Sequence, residues 1–368
     1  MQATNIGIQE YFKQIPDPRD DSGKRHLLED ILTITVLAVI CGADDWQSIE
    51  DYGQSQEDFL KQFLALPHGV PSNDTYRRVF IAIDSRKFEQ VFLEWTRSLI
   101  GRVSGVDIIP IDGKTLRRSY KKSDPKSAIH MVSAWSNINH LVLGQLKIEG
   151  KSNEIKAIPQ LLDMLFLKGC VVTIDAMGCQ RNIAEKIMQK EADYILAVKG
   201  NQGGLEEQIQ SLFKSRTTDD YNQQVDGGHA RIETRQCHII QQLEWLDEGE
   251  KWNGLQSVIK VEATREINGK TTHETRYYIS SLKSDAAFFN TAVRQHWGIE
   301  NSLHWVLDMA FGEDDCRKRE GNSAENFAII RRFAFNLLKR DSSVRLGVKN
   351  KRLKAGWDRN YLLHLLTG

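Results

Sequence analysis

Three acidic residues stand where chemistry can be done. Asp112 closes the β-branched run IIPID, Asp175 closes CVVTID, and Glu300 lies within VRQHWGIENSLHWVLDMAFGEDDCRKR, residues 293–319. In that last stretch His296, Glu300, His304 and Asp308 recur at steps of four, which on a helix makes one slowly drifting stripe. Each signal has an ordinary reading: a solvated helix face for Glu300, a turn for Asp112-Gly113, a helix cap for Asp175. Taken together, two strand-end aspartates and one acid from a facing helix are the hard oxygen set that Mg²⁺ takes, few in number and leaving room for substrate oxygens and water. Two such ions roughly 3.5–4 Å apart serve phosphoryl transfer, activating the nucleophile and stabilising the leaving oxygen. The histidines beside Glu300 imitate a zinc stripe, but HExxH spacing is absent, which argues against zinc.

The elements that must position these acids are legible in outline. Residues 1–100 read as mostly helical: an early helix in IQEYFKQIPDPRD broken by prolines, an apolar helix over Leu27–Gly42 ended by glycine, and a helix in GADDWQSIEDYG behind acidic N-cap candidates. A further helix is entered through Ser72-Asn73-Asp74, with Tyr76, Arg77 and Arg78 available to a phosphate backbone. From Val106 the pattern changes. VDIIPIDG and the two strand-like runs of HMVSAWSNINHLVLGQLKIE predict a three-strand meander. SNEIKAIPQLLDMLFLKG predicts a helix entered through a capping-box-like start and closed by glycine. CVVTIDAMG, CQRNIAEKIMQKEA, DYILAVKGNQ and GLEEQIQSLFKS then alternate strand and helix, so the fold class is α/β with a mixed sheet, a setting in which sites form at strand carboxyl ends. Between about 217 and 283 three strand-like runs, with Asn268-Gly269 as a hairpin turn, form a β-rich insertion that postpones the helix bearing Glu300. NSAENFAIIRRFAFNLLKR predicts an amphipathic helix, followed by a basic tail.

Length and charge bound the answer. A chain of 368 residues has room for two or three domains, and 40% hydrophobic with 27% charged content is ordinary for a soluble globular protein. The formal net charge is zero, yet Arg317–Arg359 carries 13 Lys/Arg against four acids, an excess that suits a polyanion touching part of the molecule. Five scattered cysteines, never in a CxxC pair, argue against a disulfide framework and for a reducing compartment. The most apolar run, Ile31–Cys41, is too short to span a bilayer and no signal peptide opens the chain, so no membrane partner and a cytoplasmic location are expected.

Against that reading, the chain resembles the H-repeat-associated insertion-sequence transposases, a family with a DDE catalytic core. The likeness runs nearly end to end: GADDWQSIEDYG and LPHGVPSNDTYRRVF, then IDGKTLRRSY, HMVSAW, KSNEIKAIPQLL, VTIDAMGCQ and ILAVKGNQ, then HARIETR, YYISSL, HWGIENSLHWVLD, RRFAFNLLKR and KRLKAGWDRNYLL. The resemblance implies an RNase H-like catalytic domain over 105–340 with the insertion inside it, a helical associated domain over 1–104, and a basic C-terminal tail over 341–368. It implies metal-dependent cutting of double-stranded DNA at element ends and strand transfer to target DNA. Asp112, Asp175 and Glu300 would hold two Mg²⁺ ions, with Mn²⁺ as a substitute, and synapsis of two ends would favour a homodimer. The alternatives are a DNA-binding remnant without activity and a metal-dependent nuclease that joins nothing.

One departure concerns DNA contacts. Relatives in the wider group surround the glutamate with Tyr-x2-Arg-x3-Glu-x6-Lys; here those positions hold Val293, His296 and Leu307. His296, Arg294 or Arg317 is expected to replace the missing cations. Lys114, Arg117 and Arg118 after the first aspartate are further candidates for DNA or, equally, loop charges; Lys199 in Lys199-Gly200-Asn201-Gln202 is a candidate to approach a backbone phosphate, though the stretch reads first as a plain turn. Trp297 is a candidate to stack on an unpaired base, although its companion Trp305 points instead to two core tryptophans.

Overall fold

Local capping chemistry sets the amino-terminal helices. The computed structural model describes residues 7–21, 24–100, 106–120, 128–148, 153–228 and 231–367; Ser152, at the expected capping-box start, lies outside them. The six helices are α1 (Gly7–Phe12), α2 (Leu28–Ile40), α3 (Trp46–Ser55), α4 (Glu57–Leu60), α5 (Asn73–Ala82) and α6 (Ser85–Leu99). Asp45 and Ser48 exchange the two bonds of a capping box at the start of α3, and Ser72 and Asp84 cap α5 and α6 with their side chains. Tyr76, offered above to a phosphate, is wholly buried, and Arg77 and Arg78 both pair with Asp74.

The sheet follows. β1 (Ile108–Thr115), β2 (His130–Ser136) and β3 (Leu141–Ile148) form the expected meander; α7 (Glu154–Met164), β4 (Val171–Ile174), α8 (Arg181–Gln189), β5 (Asp193–Val198) and α9 (Gly203–Ser215) continue it. β4 lies parallel to β1 and β5 parallel to β4, giving the order β3-β2-β1-β4-β5 of an RNase H-like core. The insertion holds four strands rather than three: β6 (Asp220–Gly228), β7 (Arg231–Ile240), β8 (Ser257–Ile267) and β9 (Lys270–Ser280). β6 shows no apolar alternation because it is an edge strand, mostly exposed on both faces. Asn268 and Gly269 both take positive φ, as the two-residue hairpin requires. Far from forming a separate module, β9 pairs antiparallel with β5, so that nine strands make one continuous sheet.

That continuity positions the next helix. α10 (Ala286–His296) packs across β6, β7, β4 and β1 through Phe289, Ala292 and Val293, which bury against Ile108, Val171 and Ile259 of the sheet. It runs from the insertion back to the strand carrying Asp112. Helices α7, α8 and α9 supply a separate core that includes Ile109, Ile111 and Val172, residues that alternate with those under α10.

The remaining helices are α11 (Trp305–Phe311), α12 (Ser323–Arg340), α13 (Val348–Trp357) and α14 (Arg359–Thr367). α12 is not amphipathic: fifteen of its residues are buried, because it runs between the amino-terminal helices and the sheet edge. There Asn336 donates to the Val142 carbonyl (3.0 Å) and accepts from its N–H (2.9 Å), while Glu89 accepts from the Gln145 N–H (3.0 Å), so side chains satisfy the open edge of β3. Burial pushes the Glu89 carboxyl up to about 8. The basic tail is folded as well. α13 and α14 pack on α12, Lys351 donates to the Leu338 carbonyl (2.9 Å) and Arg352 to the Val39 carbonyl (2.7 Å), which removes both cations from any polyanion-facing surface. The amino-terminal helices, α12 and the tail share one hydrophobic core.

Phe333 of α12 is wholly buried against Phe12, Phe88, Phe92 and Trp95, with ring centroids 4.7–5.9 Å apart. Phe333→Ala is expected to lower stability by about 3–5 kcal/mol. Chemical denaturation followed by tryptophan fluorescence should register this as a lower midpoint.

Candidate active site

The motif Asp112-Gly113-Lys114-Thr115 lies inside β1, at its carboxyl end, so alternation sends its side chains to two faces. Asp112 and Lys114 face the helix that descends from α10; Gly113 and Thr115 face α7. On the second face Thr115 Oγ1 lies 2.8 Å from His130 Nδ1, and His130 Nε2 lies 2.5 Å from Glu154 at the start of α7. Gly113 leaves room for this pair, since a Cβ there would collide with His130 Nε2 and sit 2.5 Å from Glu154 Oε1, so a larger residue would have to displace them. The parallel ladder pairs Ile111 with Ile174. Asp112 and Asp175 each follow this last pair, and the charge of Asp175 is felt at Asp112.

Asp175 caps the short turn Ala176–Gly178, as its ordinary reading anticipated, and both backbone donors, Met177 (3.1 Å) and Gly178 (3.4 Å), fall on the same oxygen, Oδ1. The turn is braced from the next strand: Asn201 donates to the Ala176 carbonyl (2.7 Å) and Gln202 to the Cys179 carbonyl (2.9 Å). Asn201 and Gln202 thus hold the Asp175 turn in place, a role that spacing alone did not reveal. Lys199, just before them, is exposed.

Glu300 comes from the third direction. Past α10 the helix widens into a π turn, Glu300–His304, in which the Trp305 N–H reaches back five residues to the Glu300 carbonyl. The polar stripe then meets the sheet residue by residue. His296 Nδ1 lies 2.9 Å from Thr173 Oγ1 on β4, His304 Nδ1 lies 3.4 Å from Asp112 and 3.8 Å from Glu300, and Asp308 pairs with Lys114. Ligand atoms of Asp112, Glu300 and His304 all fall within 4.8 Å of one another. Asp175 is not in that group, though its charge is felt at Asp112. Burial pushes the Asp112 carboxyl up to about 6, against the neighbouring His304 and with Glu300 and Asp175 adding to the rise. The hydrogen bond from His304 holds Glu300 below the usual range, against its own partial burial. Among these ligands the two carboxylates suit Mg²⁺ or Mn²⁺, while the imidazole nitrogen suits a transition metal. His304 is the site residue that the sequence reading passed over.

Several expected DNA contacts turn inward. Lys114 is not offered to a phosphate: its side chain is one-tenth exposed and its ammonium lies among Asp308, Glu313 (3.3 Å) and Asp314 (3.9 Å). Glu313 is fully buried and also pairs with Arg332 of α12. His296 is no replacement cation, because burial pushes its imidazole down to about 4 and leaves it neutral. The two tryptophans are not core residues: Trp297 is 39% and Trp305 61% exposed. Arg117 and Arg118 are exposed and pair with Asp314 (3.2 Å) and Asp315 (3.0 Å), Arg294 is half-exposed beside Glu233 (3.5 Å), and Arg317 is exposed.

Comparison with known proteins gives a concordant result. A family model described as the transposase DDE domain matches residues 104–337, and a model for the region associated with it matches residues 9–96. The chain is 43% identical to YhhI, an H repeat-associated protein of Escherichia coli K12, over 98% of each chain, and equally to YbfL of the same strain. It is 45% identical to YncI of Escherichia coli O157:H7 over 98% of this chain and 94% of that one. Among solved structures it is similar to the piggyBac transposase in a synaptic complex with hairpin DNA, at 13% identity and a TM-score of 0.41, covering 99% of this chain and 76% of that one. No helix among the described residues is long and apolar enough to cross a membrane.

The Glu313 cluster has a pH signature. Burial alone would raise this carboxyl, but Arg332 and Lys114 outweigh it and hold it down at about 2. A depressed carboxylate stabilises the fold above the unfolded value near 4.5 and loses that contribution as pH falls toward 2. Acid unfolding of the parent is therefore expected to steepen across that window. Glu313→Gln should be less stable at pH 7, and the difference should shrink as the pH is lowered, as read by denaturant midpoints at each pH.

Proposed function

The chain belongs to the DDE transposase family, and from that premise we propose that it cuts double-stranded DNA at the ends of its own element and joins the freed 3′-hydroxyl to target DNA. The observation that supports this reading is the convergence of Asp112 and Glu300, with His304, within 4.8 Å, and of Asp175 near enough for its charge to act on Asp112. Asp112, Asp175 and Glu300 would hold Mg²⁺, two ions in number and with Mn²⁺ as a substitute, which supply charge neutralisation at the phosphate and a lowered pKa for the attacking water or hydroxyl.

The protein's own groups do the rest. His304 is buried between strand and helix, its Nδ1 3.4 Å from Asp112 and 3.8 Å from Glu300, and so fixes how closely the two elements approach at the site. The cap at Asp175 uses Oδ1 and leaves Oδ2 outside those bonds. Lys114, paired with Asp308, fixes strand β1 against the helix bearing Glu300. Arg117, Arg118, Lys199, Arg294 and Arg317 remain on the surface as candidates to meet DNA. We assign residues 105–340 as the catalytic domain and 1–104 as its associated domain, acting in the cytoplasm and in two copies when two DNA ends are paired.

Labelled DNA carrying the sequence that flanks the gene, incubated with the protein and Mg²⁺ or Mn²⁺, is expected to give cuts at a defined flank and joined products. Asp112→Ala, Asp175→Ala and Glu300→Gln should each reduce both by at least about a hundredfold while leaving metal-free DNA binding intact, since removal of a principal electrostatic group costs about that much. Cuts without joined products would indicate a nuclease. Binding without any cut, identical in the parent and all three variants, would indicate a remnant whose acids do no chemistry.

A further inference from the structure

The insertion concentrates arginines around one buried carboxylate. Glu233 of β7, 3% exposed, pairs with Arg231 and Arg235 of its own strand (Arg235 at 3.2 Å), with Arg265 of β8 (3.5 Å) and with Arg294 of α10 (3.5 Å). Arg276 of β9 joins them, its guanidinium 4.5 Å from the centre of the Trp297 ring. These residues line a cavity of about 370 Å³ that is open to solvent and is also lined by Asn301, the residue after Glu300.

Charge balance distinguishes this cavity from an ordinary internal salt bridge. The carboxylates facing the five guanidiniums are Glu233, Asp226 on Arg235 (2.8 Å) and Glu274 on Arg276 (2.8 Å), so two positive charges are left uncompensated. Neutralising Glu233 calls for one arginine, and the surplus guanidiniums of Arg231, Arg265, Arg276 and Arg294, each between a third and a half exposed, keep positive charge available at the cavity surface. Arg235, whose side chain is 7% exposed, bonds Glu233, Asp226 and Gln224 through its terminal nitrogens and leaves its buried Nε–H without a partner. Guanidiniums are also the cations best matched to phosphate, since their planar donors pair with two oxygens at once.

We propose that this arginine cluster, organised by Glu233, is a phosphate-binding site that holds the DNA backbone beside Glu300. The proposal rests on the reading of the chain as a DNA-processing enzyme and goes beyond it by naming the insertion's cluster, rather than His296 or the basic carboxyl-terminal segment, as the source of positive charge next to the catalytic glutamate. Trp297 has a part in it: its exposed ring carries Arg276, fixing that guanidinium at the cavity mouth.

The test is metal-free binding of a fluorescent duplex, carrying the gene's flanking sequence, to the full chain across a series of KCl concentrations. Arg265 and Arg276 are partly exposed, so Arg265→Gln and Arg276→Gln remove charge without opening the core. Each is expected to reduce the slope of log K against log salt by about 0.9, the increment for each phosphate that a cation neutralises, and to weaken binding about tenfold at low salt. The pair together should reduce the slope by about 1.8, whereas Lys13→Gln with Lys168→Gln, on other surfaces, should leave it unchanged. Circular dichroism of each variant checks that the fold is kept. Slopes and affinities equal to the parent's in folded Arg265→Gln and Arg276→Gln would overturn the proposal. If the parent still cuts DNA in that case, the functional reading stands and the phosphate site alone fails; if the parent neither binds nor cuts, both fail.

Discussion

The arrangement depends on Glu313, a carboxylate with no exposure, which receives Lys114 from strand β1 and Arg332 from helix α12. Lys114 is two residues beyond Asp112, and its other partner, Asp308, is two helical turns beyond Glu300. One buried ion cluster therefore sets the register between the strand and the helix whose acids must meet. Such clusters are expensive, because charges lose their hydration and recover it only if every partner is present. The same cost makes the register specific: a helix shifted by one residue would leave Lys114, Glu313 and Arg332 buried without compensation. Arg332 also ties the site to α12, which belongs to the core shared with the amino-terminal helices. Register at the site and packing of the helical region are consequently parts of one structural problem.

The π turn solves the remaining geometry. A helix passing a β-strand cannot keep every fourth residue on the contact for long, since its stripe drifts while the strand repeats every two residues. The extra residue taken up between Glu300 and His304 resets the phase in mid-stripe. His296 reaches β4, Glu300 and His304 converge on Asp112, and Asp308 still arrives at Lys114. The irregularity coincides with the glutamate, where a regular helix would serve the contacts less well.

Much of this was legible in the chain. The meander, the alternation of strand and helix, the Asn268-Gly269 hairpin and the caps at Asp45 and Ser72 are local chemistry, and local chemistry is written in neighbouring residues. The two aspartates were recognisable because each ends an apolar run on a buried strand. What could not be read was exposure. Lys114 looks like a loop cation until Asp308 and Glu313, nearly two hundred residues away, arrive to bury it. Trp297 and Trp305 look like core residues, yet the helix turns them outward, and the apparently amphipathic α12 is enclosed because tertiary neighbours cover its polar side. Arg331 and Arg332 counted toward a basic surface although both are internal. β6 escaped notice because an edge strand open on both faces has no periodicity to show.

The same distinction between inventory and exposure bears on where a chain of zero net charge keeps its positive charge. Much of the apparent carboxyl-terminal excess is structural in purpose: Lys351 and Arg352 bond main-chain carbonyls, Arg332 serves Glu313, and Lys318 lies over the rings of Trp46 and Phe327. Positive charge committed in this way cannot release counterions from DNA. Charge that can do so must be held at a surface, and among the described residues the insertion holds it in a defined geometry, on strands continuous with those that carry the aspartates. Because β9 is hydrogen-bonded to β5, and β5 through β4 to β1, the arginines of the insertion and Asp112 belong to one continuous sheet crossed by one helix. The insertion thus does more than separate Glu300 from the aspartates in sequence: it extends the sheet that carries Asp112 and supplies part of the surface on which α10 packs.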